Sequence, residues 1–430
     1  MKKKIGIILL ITLAMLFYIR TNVINMANIK MRYSEEHIVE EVGVLGYLAE
    51  DIKASVKNAI PQNKKYLSTQ IENFYNSHEV RAYSYKDRKN IKNVILVQLE
   101  GVDSVLLDLM KDGEYVMPNL HQLKEEGIWF PNVYDQTGSG RTSDGEFLTL
   151  TSLLPLDGQS MYTGYDLEKL DSLPKILSAE GFTPVSLHGN TSSFWNRKNS
   201  HQALVYEETY YAEDVEKEVE ENYNGWGYSD RTMLQKTLEV LKSHEEPVLS
   251  HTILLTTHHP YDAVNEMNLD LPFKNTDSLL ENYFNCLYYT DLVVGEFVDG
   301  LAEAGILDES LLVIYADHDS GLTEDVYHYM GLTYNSDDLN CDKVPLIIYD
   351  GENRYVEEMP VGQSDTMPLI LSYLNVELPD YIYGANYIDG RKVVYTHNCI
   401  IKGPDEIISN TYDLDAITKL LVKGSFYDFR

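Results

Sequence analysis

The chain has 430 residues, 44% of them hydrophobic, which is enough for one large α/β core and a smaller subdomain. Asp and Glu total 67 against 35 Lys and Arg, and the formal net charge of -32 disfavours nucleic-acid binding, so no nucleic-acid partner is predicted. The same charge would repel an anionic substrate unless a bound cation or local Arg and His residues reversed the field at its site. The three cysteines (Cys286, Cys341, Cys399) show no metal-binding or disulfide spacing, and packing is their expected role.

The N-terminus carries three lysines followed by an apolar run over residues 5–19, bounded by Arg20. This run is short for a helix that crosses a bilayer, which needs roughly 20 residues, and it also fits the apolar region of a signal peptide. No small-x-small cleavage pattern follows it, which favours an uncleaved membrane anchor over residues 1–21. Basic residues flank the run on both sides, so they decide little about its orientation.

Residues 22–88 show a polar, helix-like pattern without candidate chemistry and are predicted to form a juxtamembrane helical arm. Beyond it, apolar runs typical of strands buried on both faces alternate with helical patterns. The strand-like runs are 92–99, 184–187, 248–255 and 311–315, and the helical patterns are 172–180, 230–243 and 279–304. This alternation predicts a largely parallel sheet with helices on both faces. We assign residues 89–345 to a catalytic core and 346–430 to a smaller C-terminal subdomain that completes it.

Polar side chains of metal-binding or acid/base type follow four of these predicted strands. Glu100 ends the first run, His188 follows the second, His258 and His259 follow the third, and the pair Asp317-His318 ends the fourth. Each residue alone is more often a solvated or structural residue than a functional one. Because ligands of open α/β sheets bind outside the carboxyl ends of the strands, their coincidence at four strand ends predicts a site there.

The types of side chain at these strand ends indicate a divalent metal. Glu100 and Asp317 offer hard carboxylate oxygens, and His318 offers an imidazole nitrogen. A mixed oxygen and nitrogen set suits Mn²⁺, Mg²⁺ or Zn²⁺, and no thiolate lies in these motifs.

A glycine-rich loop enters a predicted helix over residues 136–147. One interpretation is a helix start capped by Thr142 or Ser143, with Glu146 nearby. A functional interpretation uses the same position, since a hydroxyl at a helix N-terminus lies in a positive field and a bound cation would favour its alkoxide. The two interpretations are compatible.

Several motifs together resemble one known family, in its order and spacing. They are Leu99-Glu100, Gly140-Arg141-Thr142-Ser143-Asp144, His188-Gly189-Asn190, Phe194-Trp195-Asn196-Arg197, Gly225-Trp226-Gly227, Ser229-Asp230, Thr257-His258-His259-Pro260-Tyr261 and Asp317-His318. Over residues 90–400 the chain resembles the lipoteichoic acid synthases and related phosphoglycerol transferases, a sulfatase-like branch of the alkaline phosphatase superfamily. The resemblance implies an α/β sandwich of the sulfatase and alkaline phosphatase type.

Carried over by position, the resemblance implies that Thr142 is the nucleophile and that one divalent metal, usually Mn²⁺, is bound by Glu100, Thr142, Asp317 and His318. It implies a glycerophosphate site formed by His188, Asn190, Trp195, Arg197 and His258. Asn190 stands where the family pattern often has Asp, so one substrate contact is expected to differ. A guanidinium such as that of Arg197 suits a phosphate, which it can bind in a bidentate fashion.

The implied reaction is a double displacement. Thr142 attacks the phosphorus of phosphatidylglycerol, diacylglycerol leaves, and the glycerophosphate group passes from Thr142 to the hydroxyl of a glycolipid or glycerophosphate-chain acceptor. His188 or His258 would donate or accept the proton. The resemblance implies an extracellular catalytic domain, held at the cell membrane by one anchor. Family members typically carry about five membrane helices, and this sequence shows one at most.

Three alternatives have different sequence requirements. A true sulfatase needs a Cys/Ser-x-Pro-x-Arg motif, which is absent around Thr142. A phosphoethanolamine transferase or phosphodiesterase of the same superfamily could use the same Thr and metal. A non-catalytic, surface-anchored binding protein would keep the fold without the ligands, whereas here all the proposed ligands are present.

Overall fold

The computed structural model describes residues 64–422 except 87–89, 157, 159, 215–226, 266, 335–341, 398, 404–405, 410–411 and 413. The predicted anchor over residues 1–21, most of the predicted arm, and Gly225 and Trp226 of the quoted motifs lie outside the described residues.

An eight-stranded mixed sheet forms the centre of the molecule, in the order β13-β5-β12-β10-β2-β9-β7-β8. Its strands are β2 (Asn93–Leu99), β5 (Ile128–Trp129), β7 (Thr183–His188), β8 (Glu208–Tyr210), β9 (Val248–Ile253), β10 (Ser310–Ala316), β12 (Leu346–Tyr349) and β13 (Tyr355–Val356). The five strands from β10 to β8 are mutually parallel, whereas β12 runs antiparallel to both β10 and β5. The expectation of a largely parallel sheet therefore holds for every strand of this sheet except β12, whose reversed direction makes the sheet mixed.

The central strands are the apolar runs recognised in the sequence. All seven residues of β2, all seven of β10 and all six of β9 are buried. A strand buried on both faces carries apolar side chains at successive positions, because neighbours point to opposite faces and both faces are covered.

Helices cover both faces of the sheet. They are α1 (Lys64–Asn76), α2 (Pro118–Glu126), α3 (Thr142–Thr151), α4 (Met161–Gly164), α5 (Leu173–Ala179), α6 (Arg197–Ala203), α7 (Asp230–Ser243), α8 (Leu279–Glu303), α9 (Thr323–Tyr329), α10 (Thr366–Leu374) and α11 (Leu414–Val422). Ser172 caps α5 by accepting a hydrogen bond from the Lys175 amide, and Pro174 lies in its first turn, as expected. None of the helices described between residues 64 and 422 is both long and apolar enough to cross a bilayer.

Short strands extend the fold away from the central sheet. They are β1 (Glu79–Val80), β3 (Met110–Lys111), β4 (Glu114–Tyr115), β6 (Val133–Tyr134), β11 (Lys343–Val344), β14 (Val361–Gly362), β15 (Asn386–Ile388), β16 (Arg391–Lys392), β17 (Val394–Tyr395), β18 (Cys399–Ile401) and β19 (Ile407–Ser409). Strand β1 pairs with β15, and Phe74 of α1 packs against the rings of Tyr383 and Tyr395. Residues 64–86 therefore pack on the C-terminal part of the chain.

The loops that follow β2 and β10 are tied together by Asp103. Its Oδ1 accepts a hydrogen bond from Thr323 Oγ1 at 2.8 Å, and the Ser320 hydroxyl donates to Oδ2. Burial raises the pKa of Asp103 to about 7, although both hydrogen bonds oppose the shift.

This raised pKa predicts a pH-dependent stability difference between the wild type and Asp103→Asn. The folded state binds the Asp103 proton more tightly than the unfolded state does, so this contribution to stability is complete below about pH 4 and is lost as the pH rises towards about 7. Because Asn does not titrate, the urea midpoint of the variant should rise relative to that of the wild type between about pH 4 and about pH 8. A constant difference across that range would contradict the assignment.

Candidate active site

Two neighbouring strands deliver the acidic side chains of the site. Leu99, the last residue of β2, pairs with Ala316, the last residue of β10, so the next residues, Glu100 and Asp317, leave the sheet side by side. With His318 they form a buried group whose ligand atoms all lie within 4.8 Å of one another. His318 Nε2 is 3.3 Å from Glu100 Oε1 and 3.7 Å from Asp317 Oδ1.

The electrostatics of this group fit a bound cation. Burial and the charge of Glu100 raise the pKa of Asp317 well above its usual range. Burial opposes the shift of His318, but the charge of Asp317 raises its pKa to about 9. Asp317 Oδ2 is buried and has no hydrogen-bond partner among the described residues. A divalent cation between these atoms would let both carboxylates ionise and would use the orphaned oxygen.

Contacts at Nδ1 orient the ring of His318. Its Nδ1 lies 2.6 Å from the Asp319 carbonyl oxygen and 3.0 Å from Arg141 NH2, and its Nε2 faces the two carboxylates. Arg141 contacts the same carbonyl through one terminal nitrogen at 2.8 Å and the Asp319 carboxylate through the other, also at 2.8 Å.

Thr142 is the first residue of α3 and borders the acidic group. Its Oγ1 donates a hydrogen bond to Glu100 Oε2 at 3.1 Å. Arg141, with φ 41° and ψ −113°, occupies the N-cap position, and no side chain caps the helix. The interpretation of Thr142 or Ser143 as an N-cap is therefore wrong; the Ser143 hydroxyl instead donates to the Gly140 carbonyl at 2.9 Å. The Thr142 hydroxyl still lies in the positive field of the helix N-terminus.

Asp144 braces the loop that leads to Thr142. Its Oδ2 accepts hydrogen bonds from the amides of Gly138 at 3.1 Å and Gly140 at 2.8 Å. Burial raises the pKa of Asp144 to about 7 against these two hydrogen bonds. Asp144 thus fixes the loop that precedes Thr142.

A cavity of about 370 Å³ opens over Thr142 and the acidic group. Its lining comprises Glu100, Gly101, Ser139, Arg141, Thr142, Phe194, Trp195, Thr257, His258, His259, Tyr261, His318 and Ser320. Of the residues predicted around the substrate, Trp195 and His258 line this cavity. Arg141, Phe194, His259 and Tyr261 also line it but are absent from the set implied by the sequence, although all four stand inside the quoted motifs.

The other three predicted substrate residues lie outside the cavity lining and are buried. His188 is 2% exposed, and its Nδ1 lies 3.0 Å from the Ile253 carbonyl oxygen. Burial and the charge of Arg197 lower the pKa of His188 to about 3, so its ring is neutral at physiological pH. Asn190 Oδ1 accepts a hydrogen bond from the Thr191 amide at 2.6 Å. Arg197 is fully buried in an ion pair with Glu146, a residue that the sequence indicated only as a helix-start signal.

Comparison with known proteins places the chain in a family. The family model for Sulfatase matches residues 92–376, and the chain belongs to this family of enzymes. Lipoteichoic acid synthase 2 of Bacillus subtilis (strain 168) is 29% identical over 418 residues, which are 92% of this chain and 61% of that protein. Lipoteichoic acid synthase 1 of the same strain is 30% identical over 81% of this chain and 56% of its own length. The chain thus spans about three fifths of these curated relatives, and the matches confirm the resemblance that its motifs indicate.

Solved structures show the same fold. The lipoteichoic acid synthase from Listeria monocytogenes superposes with a TM-score of 0.69 at 23% identity, covering 84% of this chain and 98% of that chain. A phosphoglycerol transferase from Streptococcus pyogenes, solved with sn-glycerol-1-phosphate, gives a TM-score of 0.51 at 16% identity over 74% of this chain and 82% of that chain. The α/β fold of the sulfatase and alkaline phosphatase type is therefore established.

The packing of α3 against the acidic group predicts the effect of Gly145→Ala. A Cβ at Gly145 would lie 2.5 Å from the Asp317 carbonyl oxygen, so the helix must move away from Asp317. Alanine favours a helix over glycine by about 1 kcal/mol, so helix propensity cannot cause a loss. We expect Mn²⁺ affinity, measured by calorimetric titration, to fall by at least about tenfold.

Gly300→Ala in α8 is the matched control, because its Cβ would meet only the flexible Leu238 side chain, at 2.8 Å from Cδ2. It should bind Mn²⁺ like the wild type. Equal Mn²⁺ affinity in both variants would show that the close approach of α3 does not shape the site.

Proposed function

We propose that this protein is a metal-dependent phosphoglycerol transferase that moves glycerophosphate from phosphatidylglycerol to a glycolipid or glycerophosphate-chain acceptor, in the synthesis of lipoteichoic acid or a related cell-envelope glycopolymer. Membership of the sulfatase family and similarity to lipoteichoic acid synthases support this class of reaction. The observation that carries the proposal is the position of Thr142, whose hydroxyl lies at a helix N-terminus, bonded to Glu100 at the edge of a buried ligand group.

Glu100, Asp317 and His318, with the Thr142 oxygen, would hold one divalent cation. Two carboxylates and an imidazole suit Mn²⁺, Mg²⁺ or Zn²⁺, and the resemblance to lipoteichoic acid synthases favours Mn²⁺. Such a cation, when bound, would lower the pKa of the Thr142 hydroxyl and offset the negative charge of the phosphoryl oxygens. The close pair of carboxyls and the orphaned Asp317 oxygen support this assignment.

Thr142 acts as the nucleophile in the first displacement. Its Oγ1 forms a bond to phosphorus as the bond between phosphorus and the diacylglycerol oxygen breaks, which leaves glycerophosphate on Thr142. The Thr142 proton would be released to solvent when the cation binds, because Glu100, which accepts the hydroxyl hydrogen bond, would itself ligate the cation. In the second displacement an acceptor hydroxyl attacks the same phosphorus and loses its proton to His258, while the bond from phosphorus to Thr142 Oγ1 breaks and Thr142 is regenerated.

His258 is the better candidate for proton transfer to the departing diacylglycerol oxygen. It lines the cavity, and its Nδ1 lies 2.6 Å from the His259 carbonyl oxygen, a contact that orients the ring. His188 is buried, and its pKa, lowered to about 3, makes it a poor proton donor at neutral pH. It is better suited to accept a hydrogen bond through Nε2.

The glycerophosphate group would lie between Trp195 and His258, which line the cavity. Arg197, His188 and Asn190 would surround the same group from the buried layer beneath the cavity. Arg197 supports this arrangement, since its buried terminal nitrogen NH1 has no hydrogen-bond partner among the described residues.

The cellular arrangement follows from the sequence and the relatives. We propose a single-pass anchor at residues 1–21, an arm over 22–88, and a catalytic core over 89–345, completed by 346–430 and exposed outside the cell. Donor and acceptor would then both be reached at the outer surface of the membrane.

Thr142→Ala tests the nucleophile. We expect turnover of phosphatidylglycerol to fall by at least about a thousandfold, because no hydroxyl remains to attack phosphorus. The thermal unfolding midpoint should stay close to that of the wild type, because the side chain makes one hydrogen bond. Thr142→Ser, which keeps the hydroxyl, should retain measurable turnover. Undiminished turnover in the alanine variant would refute the mechanism.

The donor is tested with purified protein and Mn²⁺ on phosphatidylglycerol and phosphatidylethanolamine vesicles, with the released diacylglycerol measured. We expect release from phosphatidylglycerol at a rate at least about tenfold higher. Release from phosphatidylethanolamine alone would instead identify a phosphoethanolamine transferase or phosphodiesterase with the same fold. Release from neither lipid, with metal bound, would favour a non-catalytic binding protein.

A further inference from the structure

A fully buried ion pair lies one helical turn below the nucleophile. Glu146 follows Thr142 by four residues on α3, so the two side chains share a face of the helix. Arg197 begins α6, and its Nε lies 3.2 Å from both Glu146 carboxylate oxygens, while its NH2 lies 2.6 Å from Oε1. His201 Nε2 adds a fourth contact to Glu146, 3.0 Å from Oε2.

The pairing leaves one side of the guanidinium unused. Glu146 engages Nε and NH2, whereas NH1 of Arg197 is buried without a hydrogen-bond partner in the described part of the chain. All three members of the cluster are 0% exposed. Native structures rarely bury an unsatisfied donor on a charged group, so NH1 is the one nitrogen of this guanidinium that could still bond to another group.

The same ion pair anchors a strained segment that lines the cavity. Trp195 has φ 55° and Asn196 has φ 54°, a left-handed conformation that is unfavourable for a bulky residue such as Trp. Two hydrogen bonds to the Tyr162 carbonyl hold this segment. Asn196 Nδ2 donates one at 2.9 Å, and Ser200 Oγ of α6 donates the other at 3.1 Å. Arg197 immediately follows the strained pair, and its bond to Glu146 ties the segment to α3.

We infer that Glu146 is a positioning residue for the phosphoglycerol site: its carboxylate holds Arg197 in the layer beneath the cavity, and through Arg197 it fixes Trp195 beside Thr142. Naming glycerophosphate as the ligand rests on the proposed function, whereas the fixing of Trp195 does not. The nucleophile and the substrate-binding segment are thus held by one buried carboxylate.

The charge state of the cluster supports this role. Burial alone would raise the pKa of Glu146, but the charge of Arg197 and the hydrogen bonds of His201 and Arg197 hold it below its usual range. Glu146 is therefore ionised at physiological pH. Removing one member of such a buried pair is strongly destabilising, so the informative variant must keep the charge.

Glu146→Asp is that variant, because it keeps the carboxylate and draws it back from Arg197 by one methylene. With Mn²⁺ present, sn-glycerol-1-phosphate binding, measured by calorimetry, should weaken by at least about tenfold, while Mn²⁺ affinity is unchanged. In a background with Trp129→Phe and Trp226→Phe, acrylamide quenching of the remaining Trp195 fluorescence should increase, because this side chain is only 7% exposed in the wild type.

Tyr211→Phe is the matched control. The Tyr211 hydroxyl contacts His201 Nδ1 at 3.3 Å on the side away from Glu146, so the variant removes a buried hydrogen bond of the same network without touching the ion pair. It should bind glycerophosphate within about twofold of the wild type and quench like it. Glu146→Gln, whose folding is checked by circular dichroism, removes the charge but keeps the length of the side chain. Glu146→Asp does the opposite, so the two variants separate the effect of charge from the effect of side-chain length.

The outcomes separate the two proposals. Wild-type binding and wild-type quenching in Glu146→Asp would overturn the positioning role. Increased quenching without glycerophosphate binding by the wild-type protein would uphold the fixing of Trp195 and would count against the proposed function. Equal losses in Glu146→Asp and Tyr211→Phe would show a structural role only and would overturn the inference.

Discussion

The site depends on two carboxylates that adjacent parallel strands bring into one buried space. Because Leu99 and Ala316 are paired, Glu100 and Asp317 must emerge together, and neither can move away without breaking the sheet register. Two ionised carboxylates this close repel each other unless positive charge lies between them. Three neighbouring residues accommodate the two carboxyl groups. His318 enters from the same loop, Gly145 lets α3 approach Asp317, and Thr142 satisfies Glu100.

Beneath this site the sheet carries a polar layer where most domains place apolar side chains. Gln98 Oε1 accepts a hydrogen bond from the Tyr315 hydroxyl at 2.8 Å and lies 3.1 Å from His251 Nε2. On the helical side of the same layer, Arg197 pairs with Glu146. Buried polar networks contribute less to stability than well-packed apolar cores, but they hold their members in specific orientations. The fold therefore favours fixed geometry over maximal stability in the layer next to Thr142.

The cavity also bears on how an acidic chain could accept the anionic substrate proposed for it. The net charge is -32, yet the lining places Arg141 beside the candidate metal-binding group. Arg141 is held by Asp319, so its charge is fixed at the rim of the site. Local field, rather than net charge, decides which ligand can enter.

The sequence by itself determined the alternation of buried strands and helices, the position of Glu100 and Asp317-His318 at strand ends, and Thr142 at a helix start, because these follow from local periodicity and turn chemistry. The family followed from the order of motifs. Only the tertiary structure decided that β12 runs antiparallel, that Arg141 takes the N-cap position, and that Arg197 is buried against Glu146 rather than lining the cavity. Those outcomes depend on contacts between segments that are distant in the sequence, such as the one between Glu146 and Arg197, which differ by 51 positions. No local sequence pattern shows which acidic side chain a given arginine will pair with.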